Sequence, residues 1–173
     1  MKKFYQKIVD KGKGDCMRAA LCSLLEVDPI NVPNFVELEN TWEHIDNFLI
    51  NHGYSYSGCL HNIRYGELFN PSERCFRNIG YNDASVLSKE NLDDKYSVNG
   101  LFLAAVLSPK YFSLETPNQT HAVLCDKDLN IVFDPNQEYS NILRYPLADL
   151  LGYNGIINVY LIEKLPNEST INN

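Results

Sequence analysis

Gly12-Lys13-Gly14-Asp15-Cys16, followed at once by Met17-Arg18-Ala19-Ala20-Leu21-Cys22-Ser23-Leu24-Leu25, is the stretch from which the fold can be read. The glycines and lysines make a turn. Asp15 has the chemistry of a helix N-cap. Met17, Ala20, Leu21, Leu24 and Leu25 then recur at helical spacing, so one stripe of a helix is buried. The turn therefore delivers Cys16 to the start of a helix. There the aligned peptide dipoles favour a negative charge, and a thiol is drawn toward its nucleophilic thiolate.

Working outward, Phe4 to Val9 alternates loosely and is expected as a short strand, and Asp28-Pro29 ends the first helix. A second helix is expected between Asn40, which with Glu43 makes a loose capping box, and Gly53, with Trp42, Ile45, Phe48 and Leu49 on its apolar face. Tyr54 to Val98 has no sustained period and is expected to be an irregular insertion or lid. Beyond it the chain becomes strand-rich. Gly100–Leu107 is a continuous apolar run, Thr120–Asp126 and Ile131–Phe133 flank a turn at Lys127-Asp128, and Ile156–Ile162 is apolar again. A short helix is expected over Pro146–Leu151. Helices first and strands later predict an α+β domain, spanning residues 1–165 with a polar tail at 166–173.

Composition narrows the function. The 173 residues carry 15 Lys and Arg against 22 Asp and Glu, a net charge of −7, which is the wrong sign for a nucleic-acid binder. No apolar run is long enough to span a membrane, and no apolar segment follows the basic residues at positions 2, 3 and 7, so a cytoplasmic protein is expected. The five cysteines, Cys16, Cys22, Cys59, Cys75 and Cys125, are then expected as reduced thiols. Cys59, His61 and Cys75 fall close together, but no Cys-x-x-Cys pair occurs and no metal site is expected.

A nucleophilic cysteine needs a base. Of the four histidines, His44 and His52 fall on or just past the second helix, and His61 in the irregular stretch. His121 opens a strand. A hairpin centred on Lys127-Asp128 places it opposite Asp134, and opposed residues share a face with Cβ atoms about 5 Å apart; a centre shifted by half a residue leaves the two diagonal and still within reach. Asp134 would then orient the imidazole and stabilise its charged form. Pro135 ends the ladder, leaving Asp134 at the strand end. Cys22 lies on another side of the helix from Cys16, and Cys125 reads as packing.

These blocks, together with Gln6, Val32-Pro33-Asn34-Phe35, His121-Ala122-Val123 and Asp134-Pro135-Asn136, resemble the papain-like cysteine peptidase superfamily, and within it the C39-like group and related small bacterial and phage proteins. The middle of the chain lies outside the resemblance. The resemblance implies a helix carrying Cys16 packed on a C-terminal antiparallel sheet carrying His121 and Asp134. It also implies an oxyanion-hole glutamine upstream of the cysteine, for which Gln6 is the candidate, ten residues away. The expected activity is hydrolysis of a peptide or isopeptide bond through a covalent Cys16 acyl-enzyme, with a peptide or protein substrate and no cofactor. An acyltransferase or transglutaminase-like enzyme would use the same triad, and a non-catalytic binding or inhibitor module could share the fold. Oligomeric state is not legible.

Overall fold

The computed structural model describes residues 1–69, 85–139 and 144–166. Its centre is a five-stranded antiparallel sheet of β1 (Tyr54–His61), β2 (Phe102–Leu107), β3 (Thr120–Cys125), β4 (Ile131–Phe133) and β5 (Ile156–Lys164), in the order β1-β5-β2-β3-β4. Among the described residues, four helices accompany it: α1 (Cys16–Leu25), α2 (Thr41–Ile50), α3 (Ile63–Phe69) and α4 (Ala148–Leu151). The chain is thus a mixed α+β protein, with an N-terminal helix set on an antiparallel sheet.

The apolar run of β2 has a direct cause: this strand is central and covered on both faces. Leu103 packs with Ala20, Leu21 and Leu24 of α1 and Ile45 and Leu49 of α2. Phe102, Ala104 and Val106 face the opposite way, with Leu60, Leu87, Leu92, Val123 and Val159. Leu103 is completely buried. Leu103→Ala is expected to cost about 3 kcal/mol, read as a lowered midpoint in urea, through lost burial and the cavity left behind.

α1 packs against β3 and β2, and it is buried on more than the one stripe its periodicity predicts. Ala19, Cys22 and Ser23 are buried as well. The N-terminal residues cover that second side: the Phe4 amide donates to Ser23 Oγ at 2.8 Å.

Several expectations are corrected. Phe4–Val9 joins no strand ladder; the amides of Lys7 and Ile8 are taken by the Asp15 carboxylate instead, at 3.0 and 2.9 Å. Asp15 does not cap its helix with its side chain. The irregular stretch begins with β1, so the sheet is not purely C-terminal. The reason is local: the pairing of β1 with β5 slips between Tyr56 and Gly58, and this breaks the alternation that would reveal a strand. α3 and a 3-10 turn at Asp94–Tyr96 add further order there, while Cys75 lies outside the described residues. The short helix starts at Ala148, and β5 runs on to Lys164. In α2, Trp42 is partly exposed, stacked on Tyr56 and tilted against Tyr160, with ring centroids 5.0 and 4.9 Å apart.

The β3–β4 register also differs. Leu124 pairs with Phe133 and Cys125 with Ile131. The turn runs from Asp126 to Leu129, whose φ is +63°, and Asn130 closes it. The irregularity shifts β4 along β3, so His121 and Asp134 are not directly opposed. They meet diagonally, beyond the end of the ladder.

Candidate active site

α1 brings Cys16 to the sheet, at the first residue of the helix, where the backbone N–H groups lack intrahelical acceptors. β3 brings His121, its second residue. Asp134 follows β4 directly and Pro135 prevents the strand from continuing. The three side chains converge. His121 Nε2 donates to Asp134 Oδ1 at 2.7 Å. Cys16 and His121 line the same cavity, where the imidazole's charge reaches the thiol, and with Nε2 engaged by the carboxylate, Nδ1 is the nitrogen left for sulfur. His121 and Asp134 are buried, with 5% and 7% of their surface exposed, while Cys16 is half-buried.

The carboxylate is itself held. The Asn136 amide donates to Asp134 Oδ1 at 2.7 Å, and the Tyr145 hydroxyl donates to Oδ2. Three donors thereby serve the two oxygens of this buried carboxylate, offsetting the cost of its burial. Burial and the adjacent Asp134 push the Tyr145 phenol above its ordinary range, so it remains a donor. Tyr139 meets His121 edge to face, ring centroids 5.3 Å apart, and limits the ring's freedom to turn.

This environment separates Cys16 from the other described thiols. Burial opposes its ionisation, but the adjacent, positively charged His121, together with the backbone N–H groups of Ala122 and Met17, brings its pKa below the ordinary thiol value of 9.0. His121 is raised to about 9: burial disfavours its charge, and Asp134 and Cys16 overcome that. The pair therefore favours thiolate and imidazolium. At Cys22, Cys59 and Cys125 burial outweighs the smaller help of Arg18 and of backbone N–H groups, and pushes the thiols up to about 12.

Cys16 and His121 open on a cavity of about 260 Å³, whose walls include Gln6, Val9, Gly14, Tyr111, Tyr139 and Tyr160. A larger hollow of about 770 Å³ lies against the far side of Asp134, lined by residues such as Lys3, Tyr5, Phe133 and Tyr145, and includes neither Cys16 nor His121. The chemistry-bearing thiol faces the smaller space.

Gln6 lines the Cys16 cavity. Its backbone amide donates to the Pro135 carbonyl at 2.9 Å, next to Asp134. Its side-chain nitrogen reaches the Ile8 carbonyl at 3.4 Å, a weak contact, and Oε1 has no hydrogen-bond partner. The ten-residue interval to Cys16 is taken up by a loop. Lys13 N–H donates to the Asp10 carbonyl, and Asp15 N–H to that of Ile8. His44 is exposed, His52 Nδ1 binds the Phe48 carbonyl on α2, and His61 Nδ1 contacts Asn158 Oδ1 at 3.0 Å. None of the three lines the cavity. Among the described residues, no group of three His, Cys, Asp or Glu side chains is placed to hold a metal ion, and no helix is long and apolar enough to cross a membrane.

Sequence reasoning missed two supports. Tyr145 lies outside any strand, beyond Asp134, and no spacing rule connects the two. The carboxylate of Asp15 reads as a cap because of its place before a helix, yet it serves the preceding loop. A buried acid beside an arginine three residues on is the one signal available, and Arg18 does donate to Asp15 Oδ2.

Comparison with known proteins returned no matching family model, no matching curated protein and no matching solved structure. The functional reading therefore rests on the geometry of the site and on the motif resemblance.

Proposed function

We propose that this chain is a cysteine hydrolase of the peptidase or amidase type, with a papain-like arrangement of its catalytic groups. The observation that supports the reading is the buried His121–Asp134 pair set beside Cys16 at the wall of one cavity, with the thiol lowered and the imidazole raised. In this reading the Cys16 thiolate attacks the carbonyl carbon of an amide. The C–S bond forms as the carbonyl π electrons move to oxygen. The His121 imidazolium gives its proton to the leaving nitrogen, the C–N bond breaks, and a thioester remains on Cys16. Neutral His121 then takes a proton from water as its oxygen attacks the thioester carbon; the C–S bond breaks, the acid leaves, and the Cys16 thiolate and His121 imidazolium are restored. Asp134 keeps the ring in one orientation through both steps.

The developing oxyanion needs donors. The Cys16 N–H, at the start of α1, is one. The Gln6 amide is the second. Its bond to Ile8 is long enough to be exchanged for a stronger one to an oxyanion.

Acetylation by p-nitrophenyl acetate tests the reading. A rapid burst of nitrophenolate is expected, with the acetyl group recovered on Cys16 by peptide mass spectrometry, followed by slower turnover. Cys16→Ala is expected to lose both. Acetylation of Cys16 no faster than Cys59, or turnover retained in Cys16→Ala, would overturn the proposal. A supplied amine that captures the acetyl group in preference to water would place the protein among acyltransferases using the same residues.

A further inference from the structure

The loop before α1 and the loop before β3 both border the Cys16 cavity, and one side chain joins them. The Tyr111 hydroxyl donates to the Val9 carbonyl, and both residues line the cavity that Cys16 and His121 open on.

Both ends of this contact are anchored. On the Tyr111 side, the Tyr111 amide donates to Ser108 Oγ at 3.3 Å and the Phe112 amide to the Ser108 carbonyl at 3.0 Å. The loop is closed at its base by Ser108 N–H to the Gln119 carbonyl, 2.9 Å, and its far end is held by Tyr65, whose hydroxyl donates to the Pro117 carbonyl at 3.0 Å. The ammonium of Lys110 lies over the Tyr111 ring, 5.2 Å from its centroid. On the Val9 side, the neighbouring amides of Lys7 and Ile8 are pinned to buried Asp15. The Asp10 carbonyl is bound by Lys13. Two loops held this firmly set the Tyr111–Val9 bond as a cross-tie rather than a chance surface contact.

The space inside the tie is small. About 260 Å³ falls below the range of roughly 300–1,000 Å³ typical of pockets that enclose a drug-sized ligand. An extended polypeptide passing a nucleophile needs room on both sides of the scissile bond, and here two walls of the cavity are joined.

Resting on the hydrolase reading, we propose that Tyr111 is a specificity-determining latch. By tying the two loops together it restricts Cys16 to small acyl groups and chain ends, and excludes the middle of an extended polypeptide. The substrate class is then an amide at a terminus or on a side chain, rather than an internal peptide bond. Tyr111 touches neither the reacting atoms nor the triad in this role. It acts through the width of the opening.

Paired alkylation rates at Cys16 test this, with iodoacetamide as the small electrophile and iodoacetamidofluorescein as the bulky one. In the unaltered protein the bulky reagent is expected to be at least tenfold slower relative to its rate at a free cysteine in a model peptide. Tyr111→Phe removes only the hydroxyl and keeps the ring. It is expected to raise the bulky rate about fivefold, the shift in an opening equilibrium that one net hydrogen bond supplies, and to leave the iodoacetamide rate within twofold. An equal ratio of rates in Tyr111→Phe and the unaltered protein overturns the latch. Iodoacetamide labelling of Cys16 no faster than that of Cys59 overturns instead the hydrolase chemistry on which the latch depends.

Discussion

His121→Ala is expected to slow alkylation of Cys16 by iodoacetamide at pH 7 about a hundredfold, because the imidazolium is the main force holding the thiolate in a buried place. Without it, burial outweighs what is left to stabilise the thiolate, as it does at Cys59, whose thiol burial pushes up to about 12. The residual help from the Ala122 and Met17 N–H groups keeps the fall from being larger. The pH dependence gives the sign. In the unaltered protein, Cys16 stays reactive as pH is lowered through 9.0, and reactivity is lost only at a lower pH, where the thiolate is protonated. Raising the pH through about 9 removes the imidazolium proton. Alkylation needs no acid and continues there. Acyl transfer from an amide needs the proton for the leaving group and declines, giving a bell-shaped profile. An alkylation rate in His121→Ala within threefold of the unaltered protein would show that the two residues are not coupled.

Asp15→Ala is expected to destabilise the protein by about 3 kcal/mol, the scale of breaking a buried charge pair. Asp15 is 1% exposed and accepts from the Lys7 and Ile8 amides and from Arg18. Its removal leaves two backbone donors and a guanidinium without their acceptor. Asp15→Asn keeps an acceptor for the amides but loses the charge facing Arg18, and about half the loss is expected. Chemical denaturation followed by far-ultraviolet circular dichroism reads both. A loss under about 1 kcal/mol in Asp15→Ala would mean that water replaces the carboxylate readily, and that the loop is less firmly held than its hydrogen bonds indicate.

How much of this molecule could be read from the residue order depends on where each signal came from. β2 is legible because a strand buried on both faces is apolar throughout, and α1 because helical spacing survives even when most of the helix is buried. The nearness of His121 and Asp134 is legible because a short hairpin leaves few registers. The register itself is not, since a turn closed by Leu129 in the left-handed region displaces one strand against the other without any glycine to mark it. β1 was hidden by its slip near Gly58, in a strand whose inward and outward positions no longer alternate. Asp15 misled because one residue type serves both as helix cap and as anchor for a loop, and local sequence does not say which. Tyr145 had no local pattern at all; only the fold brings it to Asp134.

The distance along the chain between the thiol and its activating groups has a consequence for biosynthesis. α1 emerges early, whereas β3 and β4 belong to the last third of the chain. Until the hairpin docks, Cys16 has no imidazole beside it, and its sulfur is an ordinary, sluggish thiol. The nascent and the unfolded protein thus lack the lowered thiol of the folded site, through the same separation that slows assembly of the sheet. A fast-reacting Cys16 is consequently a marker of finished molecules: counting them needs only a small electrophile and a short exposure.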